Sequence, residues 1–177
     1  TCLIVGKGNS GTIIEKNCKS FNMNVISIKK NVKSNKRNRN LYLLNDLPKL
    51  ILKSDFVVNL LPLTSETKKI FNRDIFKIMK KTSYFINLGR GGTVVEKDLI
   101  NALKSKKILG AALDVFENEP LSKDSELWNT PNLIITPHIA GLHNKYWENE
   151  CALFAENLKR YIKSKSLLNV VNLNKGY

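Results

Sequence analysis

The sequence is sparing with the residues that would place it in several common classes. It has three cysteines, Cys2, Cys18 and Cys151, with no CxxC pair and one left over. That pattern favours reduced thiols over a disulfide framework or a zinc site, and no metal is expected. The cysteines lie in apolar patterns and read as core. No run of about 18 apolar residues occurs, so no membrane-spanning helix is expected. Residues 1–11 lack the basic head and small-residue cleavage site of a secretory signal, and a cytoplasmic location is the expectation. Arginine is scarce, with 5 residues against 24 lysines, although the net charge is +14. Dedicated nucleic-acid surfaces favour arginine and interleave aromatics. Here lysine is scattered with asparagine through every segment, which reads as compositional bias before it reads as a nucleic-acid site. One dense cluster, residues 29–39, keeps the second alternative open.

There is no internal repeat and no Pro- or Gly/Ser-rich linker. At 42% apolar the chain can bury one sizeable core. It opens on Thr1 rather than Met, directly on an apolar run. A strand with no lead-in is what the interior of a longer protein would show.

Apolar runs alternate with helical patterns along most of the length. Cys2-Leu-Ile-Val5 reads as a buried strand, residues 11–20 as a helix and Val25-Ile-Ser-Ile28 as a second strand. Asp46 can cap a short helix running to Lys53. Residues 56–61 form a strand stopped by Pro62. Asn72 starts a helix with Ile75, Phe76 and Met79 on its apolar face. Residues 84–88 are a strand running into Gly89-Arg-Gly-Gly92, and residues 96–104 a helix with Leu99, Ile100 and Leu103 inward. Residues 108–115 and 133–135 are two further strands. Such alternation with short connections predicts an α/β fold whose parallel sheet is covered on both faces. Residues 31–40 read as a polar loop. At the end, Trp147, Cys151, Phe154, Leu158 and Tyr161 recur at helical steps and form one apolar stripe. The stripe either packs on its own domain or crosses to a partner domain.

Gly6-Lys-Gly8-Asn-Ser-Gly11 follows the first strand and opens a helix. In a GxGxxG loop the first glycine permits the tight turn. The second lets backbone approach a pyrophosphate, and the third lets helix and strand pack closely. Phosphate oxygens are held there by free N–H groups and the helix dipole, so Gly6, Gly8 and Gly11 are dinucleotide-binding candidates on a Rossmann-type doubly wound sheet. The fingerprint expects a carboxylate after the second strand to hold the ribose hydroxyls. Lys29 stands there, followed by Lys30, with Lys33, Arg37 and Arg39 beyond. Cations attract a 2′-phosphate, so the loop favours NADP(H) over NAD(H). The alternative is that these lysines share the general bias and solvate a loop.

Asn87-Leu-Gly-Arg-Gly-Gly92, Gly110-Ala-Ala-Leu-Asp-Val-Phe-Glu-Asn-Glu-Pro120 and Thr136-Pro-His-Ile-Ala140 together resemble the signatures of the D-isomer-specific 2-hydroxyacid dehydrogenases. The resemblance is nearest to the glyoxylate/hydroxypyruvate reductases of type A, supported by Asn59-Leu-Leu-Pro62, Val94-Val-Glu-Lys-Asp-Leu99, Leu127-Trp128 and Gly176-Tyr177. It implies Arg90, Glu119 and His138 as a catalytic triad. Reduction of a 2-oxo acid needs a cation on the carboxylate and carbonyl, which the fork of Arg90 suits. It also needs a proton donor for the nascent alkoxide, a role for His138 held and made more basic by Glu119. The resemblance further places Asn9 and Ser10 against the pyrophosphate and Leu88 and Asp114 beside the nicotinamide, the alternative for Asp114 being a strand-end cap. His143 lies outside the motif and reads as a surface residue. Family architecture divides the chain into a dinucleotide-binding domain, residues 1–142, and the C-terminal helix and tail of a substrate domain, residues 143–177, whose N-terminal part is missing. A small 2-oxo or 2-hydroxy acid and a homodimeric partner are implied. Three readings stand: part of a reductase of glyoxylate- or hydroxypyruvate-like acids, a nucleotide-binding remnant without catalysis, and a basic nucleic-acid binder.

Overall fold

The structure, a computed structural model, describes residues 1–30 and 40–173. It divides into two units, Thr1–Pro137 and His138–Tyr177.

The first unit is built on seven parallel strands. They are β1 (Cys2–Val5), β2 (Val25–Ile28), β3 (Leu41–Tyr42), β4 (Phe56–Asn59), β5 (Tyr84–Asn87), β6 (Gly110–Leu113) and β7 (Leu133–Ile135). Their order in the sheet is β3-β2-β1-β4-β5-β6-β7, with every pairing parallel. This is the doubly wound Rossmann order, in which the chain works outward from β1 to one side and then crosses to the other. The connections carry α1 (Asn9–Ser20), α2 (Leu47–Ile51), α3 (Arg73–Ile78) and α4 (Glu96–Lys104).

Alternation along the strands builds two cores, because successive side chains point to opposite faces. From β1, Leu3 and Val5 enter the larger cluster with Leu47, Ile51, Phe76, Leu99 and Leu103 of α2, α3 and α4. Cys2 and Ile4 enter the smaller one, against which Ile14 and Cys18 of α1 pack. Burial on both faces explains why β1 is apolar at every position, as a central parallel strand must be. Phe85 of β5 anchors the larger cluster, fully buried, with its ring 4.9 Å from that of Phe71 and edge-on to Phe76 at 5.3 Å.

Local signals explain most helix ends. Asn72 caps α3, its side chain accepting from the N–H groups of Asp74 and Ile75. Glu96 and Asp98 stand in the first turn of α4 and Lys104 in the last, matching the helix dipole. Asp46 does not cap α2 as expected: its carboxylate turns back to accept from the Leu43 N–H at 3.2 Å. A short 3-10 turn, Leu44–Asp46, precedes α2, and that turn claims the side chain. Strand β3 was not anticipated. It adjoins the predicted loop at 31–40, of which only Asn40 lies within the described residues.

The second unit contains α5 (Tyr146–Ile162). Its stripe is exposed, Trp147, Phe154 and Tyr161 each by 70% or more. Cys151 is exposed as well, against its reading as core, while Cys2 is buried and Cys18 half-buried. After α5 the tail folds back on it: Asn157 Nδ2 donates to the Leu168 carbonyl at 3.2 Å and its Oδ1 accepts from the Leu168 N–H at 2.8 Å. His143 is exposed, and its Nδ1 accepts from the Lys145 N–H ahead of the helix. Among the described residues, no helix is long and apolar enough to cross a membrane.

Phe85→Ala is expected to lower the unfolding free energy by about 3–5 kcal/mol, the range for losing a fully buried aromatic ring. Urea denaturation measures it; a loss below ~1 kcal/mol would contradict the anchoring role.

Candidate active site

The sheet register assembles the site. Val5 of β1 lies level with Ile28 of β2 and with Asn59 of β4; Asn59 pairs with Asn87 of β5, and Asn87 with Leu113 of β6. These residues end their strands, so their successors Gly6, Lys29, Leu60, Leu88 and Asp114 form a row along the carboxyl edge. In a doubly wound sheet the crevice at this edge, where the order reverses beside β1, is where ligands bind.

Gly6 has φ +105°, a backbone conformation that side chains disfavour, and a Cβ there would lie 2.8 Å from the Leu60 carbonyl carbon. Gly11 is buried, its Cβ position 3.1 Å from the Gly6 oxygen and 3.2 Å from Ile4 Cγ2. Gly8 is different, since a Cβ there would meet nothing within 4 Å. Gly8 caps α1 without a side-chain hydrogen bond, no acidic residue stands in the first turn, and Asn9 and Ser10 are exposed. First-turn N–H groups have no acceptor within their helix. An open, positively polarised helix start of this kind fits a dinucleotide pyrophosphate. Lys7 turns away from that position to Glu15. Burial raises the Glu15 carboxyl, but its bonds to Lys19 and Lys7 outweigh this and hold it below the usual carboxylate range.

At the end of β2, Lys29 is exposed and its N–H donates to the Tyr42 carbonyl. Lys30 pairs with Glu66 at 2.9 Å, both side chains about half exposed. Part of the charge read as available to a phosphate is therefore engaged by a carboxylate from the segment after β4. Lys33, Arg37 and Arg39 lie outside the described residues.

Arg90 is exposed on the loop leaving β5, its Nη1 donating to the Gly89 carbonyl at 2.8 Å. The glycines beside it seat its loop between two backbones. A Cβ on Gly89 would lie 2.6 Å from the Leu61 oxygen, and one on Gly91 1.8 Å from the Phe116 carbonyl carbon. That second contact brings the Arg90 loop against the turn that carries Glu119. Glu119 is exposed, and its carboxylate accepts from the Phe116 N–H at 2.9 Å, closing the turn on itself. Glu96 at the start of α4 accepts from the Glu117 N–H at 2.6 Å. Burial pushes the Glu96 carboxyl above its usual range, against the effect of that N–H and with that of the Glu117 charge.

Asp114 is buried after β6 and accepts from the Thr136 hydroxyl at 2.6 Å, tying the ends of β6 and β7 together. Leu88 is half-buried, its N–H on the Asn59 carbonyl. His138 opens the second unit, exposed and with φ +55°, a left-handed conformation that is uncommon for histidine. Arg90 and Glu119 thus share the first unit, and His138 belongs to the other.

Sequence reasoning missed three residues. Asn59, Asn87 and Thr93 are fully buried and hydrogen-bonded to one another under the Arg90 loop. The signal was present: two apolar strands, Phe56-Val-Val-Asn59 and Tyr84-Phe-Ile-Asn87, each end on an amide.

The glycines make separable predictions. Gly91→Ala, which must displace backbone, is expected to cost about 3 kcal/mol of stability or more, whereas Gly8→Ala stays within ~1 kcal/mol. Thermal unfolding of both variants decides this; equal losses would refute the assignment of Gly8 to open space.

Residues 1–140 match the family model described as D-isomer specific 2-hydroxyacid dehydrogenase, NAD binding domain. Glyoxylate/hydroxypyruvate reductase B of Cronobacter sakazakii is 39% identical over 170 residues, 96% of this chain and 52% of that protein. D-3-phosphoglycerate dehydrogenase of Methanocaldococcus jannaschii is 35% identical over 171 residues, 96% of this chain and 32% of that protein. Among solved structures, the NADPH-dependent glyoxylate/hydroxypyruvate reductase of Sinorhizobium meliloti in complex with NADP and sulfate superposes with a TM-score of 0.85 at 31% identity, covering 99% of this chain and 56% of that one. The chain thus spans about a third to a half of the length of these curated relatives. With most of its length matched by that family model and 96% of it covered by relatives of 35% and 39% identity, the chain belongs to the D-isomer specific 2-hydroxyacid dehydrogenase family.

Proposed function

We propose that this chain is the nucleotide-binding part of a reductase that converts a small 2-oxo acid, of the glyoxylate or hydroxypyruvate type, to the D-2-hydroxy acid. The observation that carries the reading is the seating of an exposed arginine on a clamped loop after β5, with only β4 between that strand and the β1 end that bears the open glycine-loop helix start. A nicotinamide dinucleotide, when bound along this edge, supplies the hydride. Gly6, Gly8, Asn9, Ser10 and Gly11 hold its pyrophosphate, and Leu88 and Asp114 border its nicotinamide. Arg90 grips the substrate carboxylate through paired N–H donors and stabilises the charge that grows on the carbonyl oxygen. His138 holds the proton that this oxygen receives, and Glu119 orients the imidazole.

NADP(H) is the preferred cofactor in this reading. No carboxylate follows β2 to repel a 2′-phosphate, and Lys29 is exposed where one would lie. The Sinorhizobium meliloti relative was solved with NADP. The exposed stripe of α5 supports assigning residues 143–177 to a substrate domain that covers it, with dimerisation of the complete protein.

In the full-length protein, His138→Ala is expected to cut kcat for glyoxylate reduction by about a hundredfold or more, the usual cost of losing a general acid. Steady-state NADPH oxidation measures this, and undiminished turnover would sink the assignment. Lys29→Asp is expected to raise the Kd for NADPH about tenfold while changing that for NADH far less, since the variant places a carboxylate beside the 2′-phosphate. Equal changes for the two nucleotides, measured by fluorescence titration, would defeat the preference.

A further inference from the structure

Beneath the Arg90 loop lies a closed network of buried polar groups that the proposed chemistry does not use directly. Asn59 and Asn87 are paired across the adjacent ends of β4 and β5, and both, with Thr93, have no measurable exposure. Asn59 Nδ2 donates to Asn87 Oδ1 and to Thr93 Oγ1, each at 2.8 Å, while its Oδ1 accepts from the Leu61 N–H at 3.1 Å. Asn87 Oδ1 also accepts from the Gly89 N–H at 3.1 Å. Three donors then converge on one acceptor. The Arg90 carbonyl receives the Thr93 hydroxyl at 2.6 Å, the Thr93 N–H at 3.2 Å and Asn87 Nδ2 at 3.4 Å. Asn59 uses both of its donors, and the Thr93 hydroxyl both accepts and donates.

From this closure we infer that Asn59, Asn87 and Thr93 are positioning residues for Arg90: they fix the backbone from which its guanidinium reaches the substrate carboxylate. Arg90 is itself exposed, with its Nη1 on the carbonyl of the residue before it. A long, exposed side chain on a loose loop would spend much of its binding strength on ordering. Anchoring its own carbonyl leaves only the side-chain rotamers to be fixed on binding. The network also reaches Leu61 through Asn59, so the same amide that holds the Arg90 loop holds the wall on which Gly89 rests. The assignment rests on the reading of Arg90 as the carboxylate grip, and its test separates the two.

The test compares Thr93→Val, which keeps the shape and removes the hydroxyl, with Thr93→Ser, which restores it. Thr93→Ala carries the same expectation and replaces the valine variant should that one fail to fold. In hydrogen exchange followed by mass spectrometry, residues 88–95 are expected to exchange about tenfold faster in Thr93→Val, at wild-type rate in Thr93→Ser, with β1 unaffected in both. Unchanged exchange in residues 88–95 of the hydroxyl-less variant would overturn the clamp. In steady-state assays of the full-length protein, Thr93→Val should raise the KM for glyoxylate about tenfold or more, with the KM for NADPH within about twofold, and Thr93→Ser should recover both. Parallel rises in the two constants would overturn the positioning role. If the wild-type protein reduces no 2-oxo acid, the proposed function falls, and the exchange comparison still decides whether the network clamps Arg90.

Discussion

The backbone of Leu60 and Leu61 is a wall shared by the two loops on which the site depends. Gly6 comes against it from β1 and Gly89 from β5, each so closely that a Cβ would sit under 3 Å from a backbone atom. No residue with a side chain can come so near, so both loops are held to the same surface by the absence of a Cβ. The spacing between the dinucleotide cradle and Arg90 is therefore set by three layers of main chain in contact. Main-chain contacts of this kind have no rotamers to relax through, which makes the spacing stiff.

A wall made of a turn must itself be held, and Asn59 does this from within the sheet. Its Oδ1 takes the Leu61 N–H, and its Nδ2 bridges to Asn87 and Thr93. Such amides are costly to bury alone, at about 1–3 kcal/mol for each group left without a partner. Here each closes the needs of the next. The cost of removing one member thus falls on the others, which ties the β4 turn, the β5 loop and the 3-10 turn at Gly91–Thr93 into one cooperative patch. Apolar packing beneath it, centred on Phe85 and its neighbouring rings, supplies the stability; the polar patch supplies the geometry.

Local patterns in the sequence carry the strands and helices that local patterns specify. The four apolar residues of β1, the capping Asn72 and the acidic first turn of α4 can all be read along the chain, because each is decided by neighbours within a few positions. The glycine loop that follows β1 and opens α1 is legible for the same reason. The features that escape such a reading depend on partners far away in sequence. Asp46 is claimed by its own 3-10 turn, and two-residue β3 exists only because Ser27 and Ile28 stand beside it. Nothing near Gly91 in sequence names Phe116, 25 positions on, as the backbone it must touch. Asn59 and Asn87 look like strand-end residues until the register pairs them across 28 positions.

The two units differ in how far they complete themselves. The first buries whole side chains on both faces of its sheet, and it contains the cradle, Arg90 and Glu119. The second has no buried residue among those described, and its main helix leaves an apolar stripe in contact with solvent. His138 stands at its first position, exposed and with φ +55°. The Arg90 loop is thus held by a unit whose core is closed, through hydrogen bonds within that unit. His138, the proton donor of the proposed function, is carried by a unit whose apolar stripe is exposed. In that proposal nucleotide and carboxylate recognition belong to the first unit and proton transfer to a residue of the second, and a general acid works only when held within hydrogen-bond reach of its oxygen. In the proposed function, binding and proton transfer fall on either side of the boundary at Pro137.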